Sequence, residues 1–297
     1  MDAPAPSGIV LVDKPGGMTS HDVVGRLRRA AGTRKVGHAG TLDPMATGLL
    51  LLGIESSTRL LTYLVGLDKT YTATIRLGER SSTDDADGEV EPVADAEGVG
   101  LDAVDAGIAR LSGPIEQVPS TYSAIKVGGR RAYDRARSGE EVELTPRPVV
   151  IREFARLAER REPGRLDLDV RVSCTSGTYI RALARDLGEG LGVGGHLTAL
   201  RRTAVGPFRI EDAAPLGDGV LDGLLAPAAV ASELFPSAVL DDAQLRDLAH
   251  GKRVELDAPD AEVLAALAPD GRLAGLVRVR DGRLRVLVNM PTGEVLA

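Results

Sequence analysis

His38 and Asp43 are the two groups with strong acid–base character in the stretch Val36 to Gly48, V-G-H-A-G-T-L-D-P-M-A-T-G. Side chains of these types can move protons, and a carboxylate can also act as a nucleophile. Gly37, Gly40, Pro44 and Gly48 punctuate the stretch. Glycine tolerates backbone conformations closed to other residues, while Pro44 fixes its own φ and biases Asp43 away from helical geometry. The sequence therefore predicts an irregular, rigidly shaped loop, the kind of place where scaffolds put chemistry. Asp-Pro also starts ordinary turns, and a histidine in a generic loop is usually a surface residue. The spacing alone leaves both readings open.

The elements that must hold this loop follow from periodicity. Ile9 to Val12 is a short apolar strand, closed by Asp13-Lys14-Pro15-Gly16-Gly17. Ser20 caps a helix with Val23, Leu27, Ala30 and Ala31 at helical spacing, and Gly32 ends it. Beyond the loop come a strand, Leu49 to Ile54, and a short helix, Ser57 to Val65. Over residues 69–77, Tyr71, Ala73, Ile75 and Leu77 face one way and Thr70, Thr72, Thr74 and Arg76 the other, as in a half-buried strand. Asp102 to Leu111 reads as helix, Ser123 to Val127 as strand, Gly128-Gly129 as a turn and Arg130 to Arg137 as a basic helix. Pro148 to Leu157 and Arg165 to Cys174 read as paired strands. Thr178 caps a helix burying Ile180, Leu183, Ala184 and Leu187, and Leu197 to Phe208 is a further strand. Past Phe235 the character changes to a small β-rich unit: a helix from Asp241 to His250, a turn at Gly251, and a hairpin across Asp281-Gly282. The expected fold class is α+β, a mixed and mostly antiparallel sheet, with domains at 1–235 and 236–297.

With 297 residues, 43% hydrophobic and 27% charged, the composition is that of an ordinary globular protein of roughly two domains. The single cysteine, Cys174, cannot form an internal disulfide and reads as core, and no Cys/His spacing suggests zinc. No basic segment leads into an apolar one at the N-terminus, and the longest apolar run, Leu49 to Ile54, is too short to cross a bilayer. A cytoplasmic protein is expected. The net charge of −7 argues against a nucleic-acid partner only as a sum, because binding depends on local potential. Arg26, Arg28, Arg29, Arg34 and Lys35 cluster before the loop, and Lys126, Arg130, Arg131, Arg135 and Arg137 form a second cluster. Each run alone reads as a solvated helix face; two of them flanking a candidate site suggest a phosphate-contacting surface. T-D-D-A-D-G, Thr83 to Gly88, is no calcium loop, since Thr83 and Ala94 fall at the first and twelfth positions, where Asp and Glu are required.

The Val36 to Gly48 stretch resembles the catalytic motif of the bacterial tRNA pseudouridine-55 synthases, the TruB family of uridine-to-pseudouridine isomerases. G-I-V-L-V-D-K-P-G-G-M (Gly8 to Met18), D-K-T-Y (Asp68 to Tyr71), Thr83 to Gly88, P-S-T-Y-S-A-I-K (Pro119 to Lys126), S-G-T-Y-I-R (Ser176 to Arg181) and L-R-R (Leu200 to Arg202) follow in family order. The resemblance covers about Gly8 to Phe208, and the β-rich end looks like the PUA-type RNA-binding domain found there in the family. One departure is Ala39, where many relatives carry threonine or another small residue, which implies one loop hydrogen bond fewer.

The resemblance implies a base-flipping enzyme that acts on the T-arm stem-loop of tRNA. Moving uracil from an N-glycosidic to a C-glycosidic bond oxidises nothing and loses nothing, so neither cofactor nor metal is expected. It needs an ionised carboxylate and a dry pocket, and the resemblance makes Asp43 that carboxylate. Attack on C1′, addition to C6 and removal of a ribose proton all remain open for it. Arg181 is then the cation that keeps Asp43 ionised. Tyr71 and Tyr179 become the base-stacking and pocket tyrosines, Leu200 closes the pocket, and His38 fills or props open the folded T-loop. Lys14 supports the floor or contacts phosphate, and the acidic turn at Thr83 to Gly88 meets a basic residue beside the site. A monomer without protein partners is expected. The alternatives are a guide-RNA-dependent relative, a silent RNA chaperone of the tRNA elbow, and a glycosidase that releases the base.

Overall fold

Apolar alternation in the strands and apolar stripes on the helices converge on one large sheet with helices against both faces. The computed structural model describes residues 6–120 and 144–291 and, between them, the backbone pairing of Lys126–Val127 with Arg130–Arg131. The first third of the chain runs β1 (Gly8–Lys14), α1 (Ser20–Ala31), β2 (Val36–Ala39), β3 (Thr47–Ile54), α2 (Leu61–Val65), β4 (Lys69–Leu77), β5 (Glu79–Ser81) and β6 (Val90–Pro92). It continues with α3 (Leu101–Arg110), β7 (Gly113–Gln117), the short pair β8 (Lys126–Val127) and β9 (Arg130–Arg131), β10 (Arg147–Glu162) and β11 (Arg165–Cys174). Then follow α4 (Ile180–Gly190), β12 (Gly195–Val205), β13 (Phe208–Arg209) and β14 (Ala214–Pro215). The last part is α5 (Pro227–Leu234), β15 (Ser237–Val239), α6 (Asp242–Ala249), β16 (Ala261–Leu267), β17 (Leu273–Arg280) and β18 (Arg283–Asn289).

The large sheet has the order β14-β1-β3-β12-β4-β11-β10-β7, with β2 beside β3 and β13 beside β12. Its neighbours are antiparallel except β1 with β14 and β3 with β12. The fold is therefore α+β with a mixed, mostly antiparallel sheet, as the sequence suggests. Val10, Val12, Leu50, Leu52, Ile75 and Leu168 pack against Val23 and Leu27 of α1, Val104 of α3 and Leu183 of α4. The other face of β1 and β3, with Ile9, Leu11, Leu49 and Leu51, packs instead on Val230 of α5 and on Leu264 and Leu276 of the second sheet. That second sheet, β15-β16-β17-β18, thus shares a core with the first. Tyr63 and Phe235 meet edge-on at the junction, ring centres 5.5 Å apart. The β17–β18 hairpin turns at Asp281 (φ 50°) and Gly282 (φ 68°), the left-handed pair that a tight two-residue hairpin requires.

Several expectations need correction. Only Gly40–Ala46 of the organising stretch is irregular, because Val36–Ala39 pairs with β3 and Thr47 already belongs to it. Thr19, not Ser20, caps α1: its side chain and that of Asp22 form a reciprocal box. Ser20 is thereby freed for another partner. Tyr179, not Thr178, is the N-cap of α4, while the Thr178 hydroxyl turns back to the Thr175 carbonyl. The helix expected from Ser57 is a 3-10 segment, Glu55–Leu60, before α2. Arg130–Arg131, expected to open a helix, is a strand; the rest of that basic segment, 132–137, the strand expected at 123–125 and the turn at 128–129 lie outside the described residues. Ala39 is fully buried in the second core, where a threonine hydroxyl would need its own partner.

Candidate active site

Gly40–Ala46 carries Asp43, and hydrogen bonds from outside the segment hold it almost peptide by peptide. Arg202 donates to the Gly40 carbonyl at 3.0 Å, to Thr41 at 3.5 Å and to Leu49 at 2.7 Å. The Ser20 hydroxyl donates to the Leu42 carbonyl at 3.1 Å and accepts the Leu42 N–H at 2.9 Å. The Pro44 carbonyl accepts from Lys14 Nζ at 3.3 Å and from the Gly17 N–H at 2.9 Å. A turn closes the segment, the Ala46 N–H donating to the Asp43 carbonyl at 3.1 Å. What this framework presents is the Asp43 carboxylate itself.

That carboxylate lies 3.0 Å from Arg181 Nε, and Asp85 approaches the same nitrogen at 3.4 Å. A third acceptor, the Thr83 carbonyl, takes Arg181 Nη1 at 2.9 Å. The side chains of Arg181 and Asp85 are 4% and 5% exposed, against 33% for Asp43, so the carboxylate that substrate can reach is Asp43. Burial pushes the Asp43 pKa up from its ordinary value, Arg181 opposes this, and the charge of Asp85 adds to the rise. An acid–base group in tension of this kind marks functional sites more often than structural ones.

Arg181 reaches this position because α4 starts where it does. The Tyr179 N–H donates to Gln117 Oε1 at 2.8 Å, and the Tyr179 carbonyl accepts from Gln117 Nε2 at 3.1 Å. One buried amide at the end of β7 therefore fixes the cap of the helix and, two residues on, the arginine. The acidic turn docks on the same helix: Asp85 on Arg181, and Asp84 on Arg185 at 3.4 Å. Within the turn, Asp85 Oδ1 accepts from the Thr83 hydroxyl at 2.6 Å and from the Asp87 N–H at 3.1 Å. The basic partner expected for Thr83 to Gly88 is thus Arg181.

Tyr71 and Leu200 lie on the same face of the sheet, in one apolar cluster with Leu42 and Ile180. In register, Leu200 stands opposite Ala73 and Arg202 opposite Tyr71. Burial pushes the Tyr71 phenol up, opposed by the charge of Arg202. His38 is half-buried on β2, opposite Leu52. Burial and the Arg202 charge push its pKa down, which favours the neutral imidazole, and among the described residues its Nδ1 is buried without a hydrogen-bond partner. Among the described residues no hydrogen bond joins His38 to Asp43.

Lys14 is fully buried, and its ammonium donates to the carbonyls of Met18 at 2.6 Å, Pro15 at 3.0 Å and Pro44 at 3.3 Å. Of the two roles expected for it, this geometry suits the floor and leaves no face for a phosphate. Burial pushes its pKa down to about 8. Sequence reasoning did not single out Ser20, Asp85, Gln117 and Arg202 for the site. Asp85 and Arg202 stood inside recognised blocks; Gln117 carries no local signal.

Three family models match in succession. TruB family pseudouridylate synthase (N terminal domain) matches residues 28–180, tRNA pseudouridylate synthase B C-terminal domain 181–225, and tRNA Pseudouridine synthase II, C terminal 235–291. A tRNA pseudouridine synthase B of Leifsonia xyli is 57% identical over 97% of this chain and 98% of its own length. That of Streptomyces coelicolor is 51% identical over 95% and 96%. Among solved structures, a Cbf5-Nop10-Gar1 complex gives a TM-score of 0.69 at 24% identity, covering 96% of this chain and 84% of that one. An H/ACA RNP bound to a substrate RNA containing 2'-deoxyuridine gives 0.67 at 23%, over 98% and 85%. At those identities the likeness is one of fold.

Proposed function

Because the chain belongs to the TruB family of pseudouridylate synthases, it is an isomerase that turns uridine into pseudouridine in tRNA, and we propose that it acts on uridine 55 of the T-loop without guide RNA, cofactor or protein partner. The reaction breaks N1–C1′, turns the uracil and joins C5 to C1′, so that N1 gains a proton and C5 loses one. The single observation that carries the assignment of the site is the exposed edge of Asp43, held 3.0 Å from a buried arginine on a loop clamped from both sides. In this reading Asp43 is the catalytic carboxylate, and Arg181 keeps it ionised against the desolvation that burial imposes.

The target base has to leave its stack, and a pocket receives it best on an aromatic or apolar surface. Tyr71 supplies that surface, with Leu200 closing the pocket beside it and Tyr179 at its rim. His38, neutral and half-buried ahead of the loop, supports the folded T-loop after extrusion. Lys14 acts indirectly, through the Pro44 carbonyl. The enzyme works as a single chain in the cytoplasm, and the C-terminal sheet, residues 236–291, is read as a PUA-like RNA-binding unit. Among the described residues no helix is long and apolar enough to cross a membrane.

The test is tritium release from a T-arm stem-loop labelled at uridine C5, with wild type and Asp43→Asn, without guide RNA. Release by wild type alone, with pseudouridine recovered in the RNA, supports the reading. Free uracil would point to a glycosidase. Tight binding without release would favour a chaperone or a guide-dependent enzyme.

A further inference from the structure

We propose that Arg202 is a positioning residue of this isomerase, one guanidinium that sets the loop of Asp43 and the ring of Tyr71 relative to each other. This rests on the reading of Asp43 and Tyr71 given above.

The geometry runs through three of its nitrogens. Nη2 and Nη1 reach the Gly40 and Thr41 carbonyls on the N-terminal side of Asp43, and Nε reaches Leu49 on the C-terminal side. Both flanks of the catalytic carboxylate are therefore tied to one side chain. Tyr71 is the cross-strand neighbour of Arg202 on β4, and the guanidinium charge restrains the rise of its phenol. Backbone contact completes the clamp. Gly48 pairs with Arg202, and at φ +102° a Cβ on Gly48 would lie 2.3 Å from the Arg202 carbonyl oxygen and 2.8 Å from its nitrogen. Only glycine lets the end of the loop approach β12 this closely.

The charge argues that Arg202 is more than filler. It is 1% exposed, and among the described residues no carboxylate lies within ion-pair distance of it. Burying an unpaired cation is costly, and an apolar side chain would serve a merely structural role at lower cost. Its field reaches the groups around the site, pushing down the pKa of Lys14, His38 and Lys69 and restraining the rise at Tyr71. Lysine could keep the charge but could not reproduce a planar fork aimed at carbonyls on two sides.

The experiment compares wild type, Arg202→Lys and Arg202→Gln for tritium release, RNA affinity, melting temperature and the titration of the His38 imidazole by NMR. A small misplacement of reacting groups costs about 100-fold in rate, which is the loss expected in kcat for Arg202→Lys. RNA affinity stays within about threefold of wild type, since binding in the ground state is not what the clamp supplies. His38 titrates at higher pH in Arg202→Gln than in wild type, a shift that simple loss of packing would not produce. If melting falls but kcat per folded molecule stays within about threefold of wild type, the proposal is overturned. Should neither variant fold, Tyr71→Phe decides, because it removes only the hydroxyl on which the Arg202 charge acts; kcat within about twofold of wild type then overturns the proposal. An inactive wild type or an active Asp43→Asn overturns the reading of the site and this proposal together. An unimpaired Arg202→Lys beside an active wild type overturns this proposal alone.

Discussion

In the part of the chain built on the large sheet, before Ser237, Lys14, Lys69, Glu79, Asp85, Asp167, Arg181, His196 and Arg202 are all buried, whereas from Ser237 onward every buried side chain among the described residues is apolar. Both regions are built of paired strands under helices, and both exclude water from their centres. The difference lies in what was worth burying. A charge removed from water needs partners placed to within a few tenths of an ångström, so a region full of such charges holds its geometry tightly at the expense of stability. An apolar core gives stability and tolerates substitution as long as volume is kept. The large sheet is therefore where a single atom can change the rate, and the C-terminal sheet is where changes alter persistence of the fold.

That contrast can be broken at its strongest point first. Asp43→Asn leaves every clamp on the loop intact, and should lower kcat by about 10⁴-fold while RNA affinity, measured by filter binding, hardly moves. Asp85→Asn takes one carboxylate from Arg181. We expect kcat to fall about 100-fold through misplacement of the pair, while the Asp43 pKa falls because a neighbouring negative charge is gone. The sign is testable in the pH–rate profile. Ionised Asp43 is the active form, so activity is present above its raised pKa and is lost as pH falls through it. Arg181→Gln should move that acid limb up by about one pH unit, since the opposing cation is lost; Asp85→Asn should move it down. Movement of both in one direction would refute the shared ion triad.

The C-terminal side of the contrast predicts smaller and different effects. Leu276 is fully buried between the sheets, and Leu276→Ala should cost about 3 kcal/mol in denaturant unfolding while kcat at a permissive temperature is unchanged. Lys252 pairs with Asp247 on the exposed surface, and Lys252→Ala should change stability by less than about 0.5 kcal/mol. A kcat effect from either would mean that the second sheet reaches the chemistry.

Much of the strand framework could be read from the chain, because a period of two survives without tertiary information: residues 69–77 and 165–174 alternate as they pair. Arg181 and Asp43 came from motif order, and the geometry of their contact could not have come from spacing alone, since 138 positions of chain (181 − 43) separate them. Several misreadings fell at helix starts. Thr19 and Ser20 are chemically equivalent caps, and only the reciprocal bonds with Asp22 and Leu42 decide which residue does which task. Gln117 was invisible because its role depends on meeting a backbone that lies far along the chain.

The core shared by the two sheets also has a consequence for how this chain is made. Ile9, Leu11, Leu49 and Leu51 leave the ribosome early, while Leu264 and Leu276, which cover them, are added more than two hundred residues later. Until then the first strands present a sticky apolar face that the growing chain covers only in part, with α5 and the segment before it. Slow translation near residue 236 should leave a complete catalytic loop on a molecule that clumps, and the last sixty residues act as the lid on a hazard created by the first fifty.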